Sequence, residues 1–236
     1  MKMLADGDKL NVFVGNLRAY QEGTTRGGWL ALPASRERIE SHLRDVVGIG
    51  STDRWGQPYE TPFVMDYEYP DWAVACGLSE YANRNQGGEY IPIESLNLLA
   101  TVWDQYGDDG LVDAMDTYTD NNSLESIDEM CNLILCADEL GFCEYKYTRG
   151  SKHEKLGMSA IEERDGDLAR ALDRSGCNHL FDFERYGEEV MADSNMSLGD
   201  NGYINPPPDF RLDERSHQEL LELVDLEPKT ADGPAR

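Results

Sequence analysis

Hydrophobic and polar positions along this chain keep two different periods, and the places where the period changes mark its organisation. Leu10-Asn11-Val12-Phe13-Val14-Gly15-Asn16-Leu17 reads as a strand ending near Gly15, and Trp29-Leu30-Ala31-Leu32 as a second strand stopped by Pro33. The glycine-rich run 20–28 connects them. Ser35 is placed to cap a helix over 36–47, in which Ile39, Leu43, Val46 and Val47 recur at helical spacing; Gly48 and Gly50 end it. Phe63 to Glu68 reads as a third short strand. Residues 10–70 therefore predict a small β-sheet with one helix.

The next stretch is helical. A short helix is expected over Leu78 to Asn83. Another starts near Pro92, with Leu96, Leu99, Val102 and Trp103 on one face and Gly107 as its breaker. Leu111, Val112, Met115 and Tyr118 mark a third. Ser123 is expected to cap a helix over 124–140, with Leu124, Ile127, Cys131, Ile134 and Leu135 inward and Glu125, Asp128, Glu129 and Asn132 outward. Beyond it, Phe142 to Tyr147 alternates like a strand, Gly150 to Gly157 reads as a loop, and helical spacing returns at Ile161, Leu168 and Leu172. Asn178 to Phe183 reads as a strand followed by a turn at Tyr186-Gly187, and Gly202-Tyr203-Ile204 as a closing strand. Three prolines, 206–208, end that part; a last helix is expected around Leu220, Leu221 and Val224. The fold class is α+β. The segments divide into a small β-sheet domain (1–70), a helical acidic domain (71–122), a mixed α+β domain (123–205) and a partly disordered C-terminal extension (206–236).

Charge changes this picture most. The 236 residues carry 46 acids against 21 Lys and Arg, a formal −25, where a small soluble domain usually holds a net charge of magnitude about 2–8. The excess is local. Residues 1–59 hold 7 acids and 8 bases, net +1; residues 60–145 hold 19 acids and one base (Arg84), net −18; residues 146–236 hold 20 acids and 12 bases, net −8. A stretch with one base cannot neutralise its acids by local ion pairs, and self-repulsion of this size destabilises a compact state. Such a protein repels nucleic acid and anionic lipid and attracts basic proteins or cations. No apolar run approaches the length of a membrane span, and the start MKMLADGDKL has no apolar signal region. A soluble cytoplasmic protein is expected.

Catalytic chemistry has little to build on. Cys76, Cys131, Cys136, Cys143 and Cys177 contain no CxxC pair and are expected to be reduced, mostly buried thiols. His42, His153, His179 and His217 fit neither HExxH nor zinc-finger spacing. Asp108-Asp109 and Asp116 with Asp120 are the candidates for a hard cation, but there is no calcium loop, no phosphate-binding glycine loop and no nucleophile elbow. No enzyme, metal or cofactor is expected; a cation-dependent hydrolase using clustered carboxylates is the remote alternative.

The acids themselves form the candidate site. They are Asp66, Glu68, Asp71, Glu80, Glu89, Glu94, Asp104, Asp108, Asp109, Asp113, Asp116, Asp120, Glu125, Asp128 and Glu129. From Asp104 on, the intervals are mostly three to five, so many share one outer helix face. A helix rises 1.5 Å per residue, which sets such acids roughly 5 Å apart, comparable to phosphate spacing along one DNA strand. Ordinary surface helices intersperse Lys for a few tenths of a kcal/mol per pair; this region forgoes it. The surface thus suits a basic groove built for DNA. A binding protein for some other basic DNA-binding partner is the alternative.

Several blocks in order carry a family resemblance. They are Val12 to Leu17 with Tyr20, Glu22-Gly23 and Gly28-Trp29-Leu30; Phe63 to Glu68; Leu98 through Tyr106-Gly107-Asp108 to Ala114; and Phe181 to Gly187 with Asn201 to Ile204. Together they resemble the ArdA-type antirestriction proteins of conjugative plasmids and transposons. The resemblance implies an elongated protein of three small domains in a row, a homodimer, and a curved acidic surface that mimics bent B-DNA. It implies occupation of the DNA-binding groove of type I restriction–modification enzymes, without direct nucleic acid binding, membrane association, catalysis or cofactor. For a dimer interface, Phe142, Tyr145 and Tyr147 are the candidate apolar groups. The polar stretch Arg149 to Gly157, with its bases, dilutes the acidity locally.

Overall fold

In a computed structural model, which describes residues 8–85, 90–192 and 194–226, the first alternating run becomes strand β1, Leu10–Asn16. Helix α1, Leu17–Gln21, follows. Strand β2, Gly27–Leu32, pairs antiparallel with β1, and β3, Pro62–Glu68, takes β1's other edge, giving the order β2-β1-β3. Leu10, Val12 and Val14 are fully buried, and Leu10 and Val12 lie opposite Leu32 and Leu30, so one sheet face is core. The β1–β3 register slips between Phe13 and Val14: Val14 faces Val64, but Phe13 faces Asp66. Met65 is therefore a bulge, which turns Asp66 to the face away from the core. Ser35 caps helix α2, Arg36–His42, by accepting the Arg38 N–H at 3.3 Å. A π turn over Leu43–Val47 extends that helix to the left-handed Gly48, as the sequence predicts.

The described residues fall into two compact units. The first draws on the chain up to Asp108, on Leu124–Leu135 and on the stretch from Asp213; the second on Asp109–Ser123 and Cys136–Leu212. In the first, α3 (Asp71–Ala75), absent from the sequence reading, and α4 (Leu78–Asn85) lead to α5, Ile93–Tyr106. Leu96, Leu98, Leu99, Ala100 and Val102 of α5 are all fully buried, more than one stripe can supply, so α5 is an internal helix. Trp103 stacks on Trp72 with centroids 5.3 Å apart. The Asn97 carboxamide oxygen accepts the Ala34 N–H at 2.8 Å, tying α5 to the end of β2.

Helix α7 spans Ile127–Cys136 and tightens into a 3-10 turn over Ala137–Leu140. Its cap is Ser126, not the expected Ser123: the Ser126 hydroxyl accepts the Glu129 N–H at 3.1 Å. Asn132, expected outward, is buried, and its amide donates to the Arg215 carbonyl at 3.0 Å. That bond helps seat α11, His217–Leu223, whose Leu220 is fully buried and whose Ser216 forms a complete capping box with Glu219.

The second unit holds α6 (Val112–Thr119), β4 (Phe142–Glu144), α8 (Lys152–Arg164), α9 (Gly166–Ser175), α10 (Phe183–Ala192), β5 (Ser197–Leu198) and β6 (Gly202–Ile204), with sheet order β4-β6-β5. Two expectations fail here. The loop over Gly150 to Gly157 is the start of α8, capped by the Ser151 hydroxyl on the Glu154 N–H at 3.1 Å. The strand at Asn178 to Phe183 is a 3-10 turn followed by α10, and Tyr186-Gly187 lies inside that helix. The cause is a helix crossing. A Cβ on Gly157 would lie 1.9 Å from the Phe183 carbonyl oxygen, and one on Gly187 would lie 2.0 Å from that of His153. Bare backbones meet there, and neither glycine ends anything.

Asp53 secures the loop after α2. Its carboxylate accepts the Trp55 and Gln57 N–H groups, each at 2.8 Å, and Arg18 Nη2 lies 2.8 Å from Oδ2. Burial pushes its pKa up, but the two backbone donors with Arg18 and Arg54 outweigh burial and hold it below the usual carboxylate value. A depressed folded pKa gives stability that is full above the unfolded value of about 3.9 and is lost as pH falls through the folded one. Asp53→Asn should therefore flatten the acid limb of the melting-temperature profile below about pH 4 relative to the parent. Parallel acid limbs in the two proteins would refute this.

Candidate acidic interaction surface

The two units divide the predicted acids. The first holds Asp66, Glu68, Asp71, Glu80, Glu94, Asp104, Asp108, Glu125, Asp128 and Glu129; the second holds Asp109, Asp113, Asp116 and Asp120. Glu89 lies outside the described residues. All fourteen of the described acids are exposed or half-exposed. Asp113, Asp116 and Asp120, at intervals of three and four, share one face of α6 and its C-cap.

Position within each helix separates these acids into two kinds. Asp71, Glu80, Glu94, Asp113, Asp128 and Glu129 stand in the first turns of α3, α4, α5, α6 and α7. A carboxylate there offsets the positive end of the helix dipole, worth about 0.3–1 kcal/mol each. Some also make specific bonds. Glu129 Oε2 accepts the Glu125 N–H at 2.7 Å, Asp113 accepts the Asn201 amide at 2.8 Å, and Asp128 meets His217 Nδ1 at 2.8 Å. These acids serve the fold. Asp104 and Asp116 instead stand in the last turns of α5 and α6, and Asp120 is the C-cap of α6; neither helix has a base in its last turn. A carboxylate at that end opposes the helix dipole instead of offsetting it.

Two lysines of α8 are engaged within the second unit. Lys152 Nζ lies 2.9 Å from Asp200 Oδ1 and 3.8 Å from Asp120 Oδ2. Its hydrogen bond and charge hold the Asp200 carboxyl below the usual range. Lys155 sits over the Tyr145 ring, 5.0 Å from its centroid. Lys152 and Lys155 of the Arg149 to Gly157 stretch thus lie on α8 and contact their own unit. Asp200 escaped the sequence reading because it lies 80 residues from Asp120 along the chain; only the position of Asp120 on α6, beside Lys152 of α8, brings the two together. In the first unit Arg84 Nη2 donates to the Leu124 carbonyl at 2.5 Å and stands 3.9 Å from Glu125.

The three aromatic candidates differ in setting. Tyr145 packs in its own unit's core with Leu156, Ala160, Val190, Leu198 and Tyr203. Phe142 and Tyr147 are half-buried, and the Tyr147 hydroxyl donates to Glu162. Cys76, Cys131 and Cys136 are buried free thiols, and burial pushes Cys76 up to about 12. His42 Nε2 lies 3.2 Å from the Gly28 carbonyl, half-buried. Among the described residues no group of three or more His, Cys, Asp or Glu is placed to hold a metal ion, and no helix is long and apolar enough to cross a membrane.

Fold and surface define an α+β protein whose acids face outward over a central stretch almost free of bases. The sequence profile of the antirestriction protein (ArdA) family matches residues 12–205, most of the chain, and the protein belongs to the ArdA antirestriction family. Among curated proteins no sequence matches it. Its function is antirestriction, in a family not known for enzymes. Helix α11 lies beyond the matched residues yet is built into the first unit.

Proposed function

We propose that the chain is a B-DNA mimic that occupies the DNA-binding groove of a type I restriction–modification enzyme. The observation that supports this reading is the run of exposed and half-exposed acids over residues 60–145, net −18 with one base, some of them at helix ends where a carboxylate opposes the dipole. Charge of one sign at this density costs a compact chain self-repulsion and points to a use outside the fold. In a groove evolved for phosphates, each Lys or Arg can meet a carboxylate instead, and long-range attraction speeds the encounter. The reading includes a cytoplasmic homodimer of elongated subunits, with small domains in a row. Phe142 and Tyr147 are its interface candidates; Tyr145 acts within its own core. Neither catalysis nor a cofactor enters the mechanism.

The direct test mixes purified type I enzyme, labelled target DNA and increasing amounts of the protein at several salt concentrations. DNA should be displaced and left uncut, with the effective concentration rising steeply with salt, because both competitors bind through charge. DNA that stays bound and is cut at large protein excess rejects the target.

A further inference from the structure

The open edge of β3 borders a recess of about 430 Å³. Its walls are aromatic: Tyr20, Phe63, Tyr67, Tyr69 and Tyr90 line it, with Asp66 beside them. Tyr20 and Tyr90 lean on Phe63 at centroid distances of 5.8 and 4.8 Å, tilted by 56° and 58°. Tyr67 and Tyr69 stack in parallel, 5.2 Å apart. The bulge at Met65 is what delivers Asp66 here. With regular pairing Asp66 would share the core face with Val64; the slipped register sets it opposite Phe13 instead.

The chemistry of the recess is selective for positive charge. Among the described residues its lining contains no Lys, Arg or His. Arg84 lies between the lining residues Asn83 and Asn85 in sequence, but its guanidinium turns away to the Leu124 carbonyl. Asp66 accepts the Tyr67 N–H at 2.9 Å and has no cationic partner among the described residues. Burial, with the Asp66 and Glu80 carboxylates, pushes the Tyr69 phenol up to about 12. Burial also raises Tyr67. The phenols thus stay neutral, and their negative ring faces stand in a field made more negative by carboxylates. Cations over such faces gain about 0.5–2 kcal/mol. A flat guanidinium can stack on a ring and hydrogen-bond a carboxylate at the same time, which an ammonium cannot do as well.

We propose that this recess receives an arginine side chain of a basic protein partner, its guanidinium stacked on the exposed ring of Tyr90, which leans on the buried Phe63, and its charge met by Asp66. The proposal rests on the reading that the chain binds a basic groove, and it deepens that reading. A stacked, partly desolvated arginine is held by contacts that salt screens weakly, so it would keep the protein bound where plain charge attraction fails.

The test uses the full chain and three capped tripeptides, Gly-Arg-Gly, Gly-Lys-Gly and Gly-citrulline-Gly, followed by NMR of the aromatic rings. The arginine peptide should shift the Tyr90 and Phe63 resonances saturably. The lysine peptide should bind more weakly, and neutral citrulline should leave the rings unmoved. Tyr90→Leu and Asp66→Asn should each weaken the arginine peptide about tenfold, the upper half of the cation–π range. Tyr90 and Tyr20 are 50% and 54% exposed, so the double variant Tyr20→Leu/Tyr90→Leu should still unfold cooperatively, at a somewhat lower melting temperature for the two ring contacts on Phe63 it gives up, and lose the peptide. Citrulline binding equal to arginine, or the double variant binding like the parent, overturns the proposal.

A second arm repeats the displacement of DNA from the type I enzyme at high salt. The parent should outlast Tyr90→Leu as salt rises. Equal salt tolerance of the two would show the partner does not use the recess and overturns the proposal, while the mimicry stands. If the parent displaces no DNA but still takes the arginine peptide, the mimicry fails and the recess stands as an arginine site.

Discussion

Replacing Asp104, Asp108, Asp109, Asp116, Asp120 and Glu125 together with Asn or Gln is expected to raise the dissociation constant for the restriction enzyme about 100-fold at low salt. Exposed charge pairs contribute roughly 0–1 kcal/mol each. Six at about 0.5 kcal/mol make about 3 kcal/mol, or about two powers of ten. Any one of them alone should matter less than about fivefold. The set leaves untouched Asp113, Asp128 and Glu129, whose carboxylates hold Asn201, His217 and the Glu125 backbone. The variant should also show a flatter dependence of binding on salt.

The same substitutions should not harm the fold. Asp104 and Asp116 oppose the dipoles of α5 and α6, while Asp120 and Glu125 give up only exposed ion pairs at 3.8 and 3.9 Å, worth roughly 0–1 kcal/mol each, so the melting temperature should change little. Binding lost while stability holds or rises is the signature of charge kept for a partner. Binding measured by competition and unfolding measured by calorimetry give both readouts on one sample. An undiminished affinity in the sixfold variant, or complete loss from one of its members, would reject a collective charge surface.

Gly157→Ala should destabilise the second unit by about 3 kcal/mol, although alanine is the better helix former. On an open helix face Gly→Ala gains about 1 kcal/mol. At this site the new Cβ would stand 1.9 Å from the Phe183 carbonyl oxygen. The obstacle is backbone, which cannot swing aside, so α8 and α10 must separate. Overpacking of that kind costs about 1–3 kcal/mol and occasionally more, which outweighs the propensity gain. Gly166→Ala is the matched control. Its Cβ would come no closer than 3.5 Å, to the end of the Arg170 side chain, and it should stabilise by up to about 1 kcal/mol. Urea unfolding of the two variants should move in opposite directions; a shift of the same sign in both would disprove the close crossing.

Much of this was legible beforehand where local chemistry and long-range packing agree. Strand β1 alternates, β2 and β3 are short apolar runs bounded by turn residues, Ser35 caps as its position suggests, and α5 runs from Pro92 to Gly107 between a favourable start and a clear break. The blocks resembling the ArdA family fall within the matched residues 12–205. The concentration of acids was visible as composition. Their sorting was not, because whether an acid helps or opposes a helix depends on where that helix begins and ends, and the start of α7 was misplaced by its cap.

The chain by itself determined the three strands of the first unit, the existence and bounds of α5 and the −18 of residues 60–145. Those follow from residue type and spacing alone. Tertiary structure decided the rest. Asn178 to Phe183 is too short for its period to tell strand from helix, and the packing of α10 on α8 settled it. Gly157 and Gly187 look like chain breakers until two backbones need the room. Asn132 looks like a surface residue until the Arg215 carbonyl arrives from 83 positions away. The same holds for the aromatic recess, since Tyr20, Asp66 and Tyr90 meet only when β3 forms with its bulge.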